Sequence, residues 1–291
     1  MSERDWMAAR FEEHRPRLRA LAHRMLGSVA EADDALQDAW LRIDRADTSA
    51  VENPGGWLTT VVARVCLNLL RARGTRREEE LSADLLPASA TRVTDPEEEA
   101  LLADSVGLAL LIVLDTLAPA ERLAFVLHDM FQVPFDEIAP LIDRTPVATR
   151  QLASRARRRV KGAPVPAGDA SRRHGVVRAY LAATRGGDFD ALLALLHPDV
   201  VLRADRAVVP TPEPVLVRGA RPVAEGAMAS LGRARSAALV LVDGEIGMAM
   251  LEEGRLRVLL RFAFDGELVT EIDVVAEPER LRELEVAVVQ G

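Results

Sequence analysis

Residues 133–158 read Val133-Pro134-Phe135-Asp136-Glu137-Ile138-Ala139-Pro140-Leu141-Ile142, then Asp143-Arg144, then Thr145-Pro146-Val147-Ala148-Thr149-Arg150-Gln151-Leu152-Ala153-Ser154-Arg155-Ala156-Arg157-Arg158. The first piece opens a helix at Pro134 and closes it with Leu141 and Ile142, and Asp143-Arg144 makes a turn. Thr145 then supplies an N-cap and Pro146 the first helical position, where a missing N–H costs nothing. Two helices joined by so short a turn form a helix-turn-helix, whose second helix fits a DNA major groove. On a wheel of 100° per residue, Arg150, Ser154 and Arg157 fall within about 60° of one another, flanked by Gln151 and Arg158, while Leu152 and Ala156 face inward. From Arg150 to Lys161 there are six cations and no anion. Such a surface suits phosphates and base edges.

The chain around this motif has 291 residues, 49% hydrophobic and 28% charged, which is globular composition and enough for two or three domains. Its net charge of −8 taken alone argues against nucleic-acid binding, but the average hides local basic segments. Besides the one just quoted, residues 64–77 hold five arginines and no acid. The longest uncharged apolar run, Val106 to Leu114, covers about half a bilayer, so no membrane-spanning segment is expected. The N-terminal residues carry no secretory signal, and a cytoplasmic location is expected. A single cysteine, Cys66, excludes an internal disulfide and a cysteine-rich zinc site.

Organisation follows composition. Residues 6–77 have helical apolar spacing, interrupted only by Asn53-Pro54-Gly55-Gly56. Residues 78–99 are acidic and proline-containing, as in a flexible linker. A second helical block is expected over 100–161, and 162–169 reads as a second linker. From residue 170 the pattern becomes α+β. Helices are expected over Arg173–Thr184 and Phe189–Leu196, the second capped by Asp188. Strands are expected over Val200–Arg203, Val215–Arg218, Ala237–Val242, Gly247–Leu251, Leu256–Phe264 and Leu268–Val275. Glu253-Gly254 and Asp265-Gly266 mark hairpin turns, so a curved antiparallel sheet is expected. Leu281, Leu284 and Val288 then recur at helical spacing, offering a stripe that either packs on this sheet or contacts the helical blocks.

Two further helical faces stand out. In 30–43, Ala32, Leu36, Ala39 and Ile43 form a core stripe, and Asp34, Gln37, Asp38 and Leu41 lie opposite. That second face reads either as a solvated acidic surface or as a dock for a basic partner. In 57–73, Arg64, Asn68 and Arg71 share one face, which suits phosphates together with base-edge hydrogen bonds. Cys66 faces away from Arg64 and reads as core. Trp57 begins this helix and either packs internally or stacks on an unpaired base. In the α+β part, His197, Asp205, Glu271 and Asp273 are the groups available for proton transfer, but no spacing brings them together.

These motifs resemble a known family. Glu31-Ala32-Asp33-Asp34-Ala35-Leu36-Gln37-Asp38-Ala39-Trp40-Leu41-Arg42 resembles the core-polymerase-binding helix of bacterial extracytoplasmic-function sigma factors. Asn53-Pro54-Gly55-Gly56-Trp57-Leu58, with the downstream arginines, resembles their promoter-melting and −10-reading segment. Leu117-Ala118-Pro119-Ala120-Glu121-Arg122 and the helix-turn-helix resemble their −35-reading domain. Asp188-Phe189-Asp190-Ala191-Leu192, His197-Pro198-Asp199-Val200 and Glu277-Pro278-Glu279-Arg280-Leu281 are similar to the SnoaL-like domain and tail motif fused to the sigma-J-type subgroup. The subgroup's Trp-Leu-Pro-Glu-Pro survives only as Leu85-Leu86-Pro87, its Asp-Gly-Gly-Gly-Lys is replaced by Asp205-Arg206-Ala207-Val208-Val209, and Glu277 stands where asparagine is common.

The resemblance implies two all-α sigma domains, the second a helix-turn-helix, followed by a SnoaL-like cone. Core RNA polymerase would bind Asp33, Asp34, Gln37, Asp38 and Leu41. Melted −10 DNA would meet Asn53, Trp57, Arg64, Asn68, Arg71, Arg73, Arg76 and Arg77. Duplex −35 DNA would meet Thr145, Thr149, Arg150, Gln151, Ser154, Arg155, Arg157 and Arg158. Glu277, Pro278, Glu279, Arg280 and Leu281 would form a regulatory tail, with the cone modulating activity in cis. No cofactor, metal or catalytic residue is implied, although a small ligand in the cone is compatible with it. The rival reading is a helix-turn-helix regulator fused to a small-molecule-binding or isomerase-like cone.

Overall fold

A computed structural model describes residues 3–82, 105–164, 168–208 and 213–290; of 3, 74–82, 105–106, 163–164 and 290 it describes only the backbone. The chain divides into two compact units, Met1–Leu102 with Leu117–Arg157, and Ala103–Thr116 with Arg158–Gly291.

The first unit is helical. Helices α1 (Glu3–Leu26), α2 (Val29–Ile43) and α3 (Pro54–Ser82) pack on one another around Leu18, Leu21, Met25, Leu36, Leu58, Val62 and Leu67. The predicted stripe of α2 is the buried one, with Ala32, Leu36, Ala39 and Ile43 at 2% exposure or less. Asn53 caps α3, its Oδ1 accepting from Gly56 N at 3.0 Å. A side chain at Gly56 would come within 2.8 Å of the Asn53 amide, which is why glycine stands there. Cys66 is fully buried in α3, and burial pushes its thiol up from 9.0 to about 12.

Residues 117–157 continue the same unit with α5 (Pro119–Phe125), a π-turn (Val126–Met130), α6 (Phe135–Ile138), a 3₁₀ turn (Ala139–Leu141) and the body of α7 (Pro146–Lys161). They pack on α1 and α3. Arg122 is buried and its Nη1 donates to Met25 O at 2.8 Å; Arg17 Nη2 donates to Phe131 O at 2.9 Å. The expected linker begins later than its acidic composition suggested, since α3 runs to Ser82; residues 83–104 lie outside the described residues.

The second unit holds an eight-stranded sheet in the order β1-β8-β4-β5-β6-β7-β2-β3. Its strands are β1 (Ala163–Pro164), β2 (Leu196–Ala204), β3 (Val215–Arg218), β4 (Ala237–Val242), β5 (Glu245–Glu252), β6 (Arg255–Asp265), β7 (Leu268–Val275) and β8 (Val286–Gln290). All six expected strands are present. The sheet is antiparallel at most of its pairings, as expected, with two exceptions: β2 pairs parallel to β7 and β1 parallel to β8. Helical connections cause this: α10 (Ala220–Ala229) and α11 (Leu231–Ala234) carry the chain from β3 to β4, and α12 (Pro278–Glu283) carries it from β7 to β8.

One sheet face is filled by α8 (Asp169–Gly186), α9 (Phe189–Leu195) and α10, through Tyr180, Leu192, Val223, Met248, Leu260 and Ile272. As expected, Asp188 caps α9, accepting from Ala191 N at 2.9 Å. The other face is covered by α4 (Ser105–Asp115). Its Ala109, Leu111, Ile112 and Val113 join Val240, Val242, Leu251, Leu259, Val275, Leu281 and Val286 in one core. Although it belongs to the expected 100–161 helical block, this helix packs on the sheet, since a helix apolar on all sides has to be buried and the sheet supplies an apolar face. Asp115 completes the join, its Oδ2 accepting from Leu256 N at 2.8 Å. Part of the expected second linker is also structured, since 163–164 form β1; residues 165–167 lie outside the described residues. Gly162 has φ +63°, and a Cβ there would sit 1.7 Å from Val288 O.

Two outcomes follow from these cores. In the folded chain Cys66 should resist a thiol reagent at pH 8 and react stoichiometrically once unfolded. Because its pKa is raised on folding, its stabilising contribution is complete below pH 9 and is lost as pH rises towards 12. Rapid native-state labelling would contradict the burial. A fragment beginning at Arg158 lacks α4; it should bind a hydrophobic dye and associate, and a peptide of residues 103–116 should reverse both effects. A monomeric, dye-negative fragment would show that the sheet needs no cover.

Candidate nucleic-acid interface

Helix α7 begins with the predicted cap, Thr145 Oγ1 accepting from Ala148 N at 3.2 Å. Ala153 and Ala156 are buried and Leu152 is half-buried. Thr145, Val147, Arg150, Gln151, Ser154, Arg155 and Arg158 are exposed. The expectation for Thr149 is corrected: it is fully buried and its Oγ1 donates to Thr145 O at 2.9 Å, so it braces the helix start. Arg157 is engaged on the helix flank, donating from Nε and Nη2 to the two carboxylate oxygens of Asp129 at 2.7 and 3.0 Å. Those hydrogen bonds raise the Arg157 pKa further. Val147 was not singled out from sequence. It is 62% exposed on the first turn of α7, and only its place on this face distinguishes it from any small apolar residue.

On α2, Asp33, Asp34, Gln37, Asp38 and Leu41 are all exposed, Leu41 by 48%. Asp33 forms a bidentate pair with Arg19 at 2.7 and 2.9 Å. Arg64, Asn68 and Arg71 are exposed at helical spacing on α3, and Trp57 is half-buried one turn from its start. Asn53 is exposed, but its carbonyl oxygen serves the cap. Arg73 departs from that face: it pairs with Glu31 at 2.5 Å and donates to Leu26 O at 3.4 Å, tying α3 to its neighbours. Arg76 and Arg77 lie on α3, with side chains outside the described residues.

In the second unit the titratable candidates are individually engaged. His197 Nδ1 accepts from Asp199 N at 3.1 Å, and Glu271 pairs with Arg203. Asp205, 5% exposed, accepts at Oδ2 from Ala276 N and Glu277 N, both at 2.8 Å. Arg280 donates to Asp273 Oδ2 at 3.0 Å. The tail is therefore built into this unit: Pro278 starts α12, Glu279 is exposed, and Leu281 is buried in the core beside α4. Among the described residues no group of three or more His, Cys, Asp or Glu could hold a metal ion, and no helix is long and apolar enough to cross a membrane.

Comparisons with known proteins give the family. Residues 10–76 match the family Sigma-70 region 2, and residues 108–160 match Sigma-70, region 4. The chain is 40% identical over 246 residues to the ECF RNA polymerase sigma factor SigJ of Mycobacterium tuberculosis, covering 81% of this chain and 78% of that one. It is 33% identical over 285 residues to the probable ECF RNA polymerase sigma factor SigI of the same organism, covering 97% of each. The crystal structure of Mycobacterium tuberculosis SigJ is 31% identical with a TM-score of 0.43, covering 94% of this chain and 98% of that one. Helical sigma domains are followed by an α+β unit, and the chain belongs to the extracytoplasmic-function RNA polymerase sigma factors.

Proposed function

We propose that this sigma factor docks on core RNA polymerase through the exposed face of α2, captures the melted −10 strand with Trp57 and the Arg64–Asn68–Arg71 face, and reads the −35 duplex with α7. The observation that carries the first assignment is the α2 face itself. Asp34 and Asp38 stand exposed on the same helix as Leu41, an apolar side chain 48% in water. A basic partner with an apolar contact point matches that composition. In the −10 segment, Arg73 and the Asn53 carbonyl are committed to the fold, and half-buried Trp57 with the exposed Arg64–Asn68–Arg71 face supplies the DNA-facing groups in this reading. On α7, Val147 offers a thymine-methyl contact beside the polar readers.

The C-terminal domain modulates this activity in cis and catalyses nothing in this reading. Support comes from α4, most of which (108–115) lies within the region 4 match and which is also the cover of the C-terminal sheet. Leu281 of the tail packs in that same core. Asp205 and Asp273 are both engaged at the α12 junction, accepting from Ala276 N and Glu277 N and from Arg280.

Asp34→Arg with Asp38→Arg should abolish co-purification with core polymerase at unchanged helical content, because two reversed charges cost on the order of a few kcal/mol at a partly desolvated interface. Undiminished co-purification would remove α2 from the interface. For the cone, a chain ending at Val275 loses α12 and β8; in reconstituted transcription it should change transcript yield while keeping the same core partner. Equal yield from both chains at several promoters would leave the tail without a regulatory part.

A further inference from the structure

Arg150 stands exposed on α7, and its guanidinium carbon lies 5.4 Å from the ring centroid of Phe135, the first residue of α6. Phe135 is stacked in turn on His128, with centroids 3.8 Å apart and planes inclined by 25°. His128 Nδ1 lies 3.1 Å from Val133 O. The backbone holding this imidazole is tightly determined. His128 sits within the π-turn, Gln132 N donates to His128 O at 3.1 Å, and Val133 N donates to Leu127 O at 2.9 Å. Gln132 turns the chain in the left-handed region, with φ +60°. An unbroken series of contacts thus runs from a backbone carbonyl through two rings to the guanidinium.

A guanidinium has a face and an edge. Contact with an aromatic ring uses the face and none of the five N–H donors. Arg157 shows the other use on the same helix, since two of its donors are occupied by Asp129. Arg150 has no hydrogen bond or ion pair among the described residues, so its donors are open to acceptors outside the protein. In a major groove the acceptor pair that matches this edge is guanine O6 with N7; adenine sets a donor beside its N7, and thymine and cytosine offer no such pair. Holding the long arginine side chain in place beforehand also reduces the rotamer freedom lost on binding.

We propose that Phe135, steadied by His128, is a positioning residue that presents Arg150 edge-on to one guanine of the −35 element. That base pair becomes the position of strongest discrimination. The inference rests on the reading of α7 as the −35 helix.

The test uses holoenzyme reconstituted from the full chain and core polymerase, and a −35 element selected by that holoenzyme from a randomised duplex library. Replacing the key guanine pair by adenine–thymine should weaken wild-type binding about 5- to 140-fold. 7-Deazaguanine at the same position, which lacks only the N7 acceptor, should reproduce part of that loss. Phe135→Leu retains apolar bulk without an aromatic face. It should weaken binding to the selected element about two- to fivefold and shrink the guanine discrimination, with binding to unrelated DNA unchanged. Phe135→Tyr should restore both. Wild-type discrimination in Phe135→Leu overturns the inference, as does equal impairment of the Leu and Tyr variants, which marks a packing role alone. Arg150→Ala separates the two levels. If it keeps full −35 discrimination, the assignment of Arg150 as a reader fails and the positioning role falls with it. If it loses discrimination while Phe135→Leu does not, only the positioning role fails.

Discussion

Mutual burial of α4 and the second face of the C-terminal sheet is the interaction on which the remaining architecture depends. Ile112 and Val113 are fully buried, and Ala109 and Leu111 nearly so, against Val240, Val242, Leu251 and Leu259. At about 1.5–3 kcal/mol for each large side chain removed from water, a few such residues approach the net stability of a whole domain, about 5–15 kcal/mol. Neither partner has a polar face to offer solvent instead. The tail joins the same core through Leu281 and Val286, and the β1–β8 pairing closes the sheet beside them. Removing any one of these three elements uncovers the others.

Within the helical unit, arginine is put to three physical uses. Arg122 and Arg73 cross between helices and satisfy carbonyls that helix ends leave without partners. Arg157 spends its donors on Asp129 and fixes the orientation of α7. Arg64, Arg150 and Arg155 extend into solvent, where a polyanion can meet them. Since Lys161 is the chain's one lysine, nearly all cationic work falls to a side chain with a planar, directional head, and the same residue type serves as brace and as reader.

Local signals in the sequence were reliable where a residue's chemistry acts nearby. Thr145-Pro146 and Asp188 cap helices, and Glu253-Gly254 turns a hairpin with both residues at positive φ. The α2 face and the exposed side of α7 follow directly from the 3.6-residue period. What was not legible depends on partners distant in sequence. The apolar run 106–114 looked like an ordinary core helix, and only the sheet assembled from residues 237–290 shows which core. Thr149 and Arg157 lie close to the predicted DNA face on the wheel, but burial removes the first and Asp129, 28 residues upstream, engages the second. Parallel pairing of β2 with β7 arises from connections whose helices carried weak signals, as in α10 with its internal Gly226.

The separation of α4 from its cover along the chain has a further consequence during synthesis. Residue 115 leaves the ribosome 122 residues before residue 237 begins β4, and the strands that bury α4 follow later still. At roughly 5–20 residues per second, this strongly apolar helix waits on the order of ten seconds before any sheet exists to receive it. The helical unit can form early, whereas the C-terminal unit has to be completed by a nascent chain that returns to a segment made long before. A pause or a premature stop in the last third of translation would therefore release a chain whose most hydrophobic helix is still uncovered.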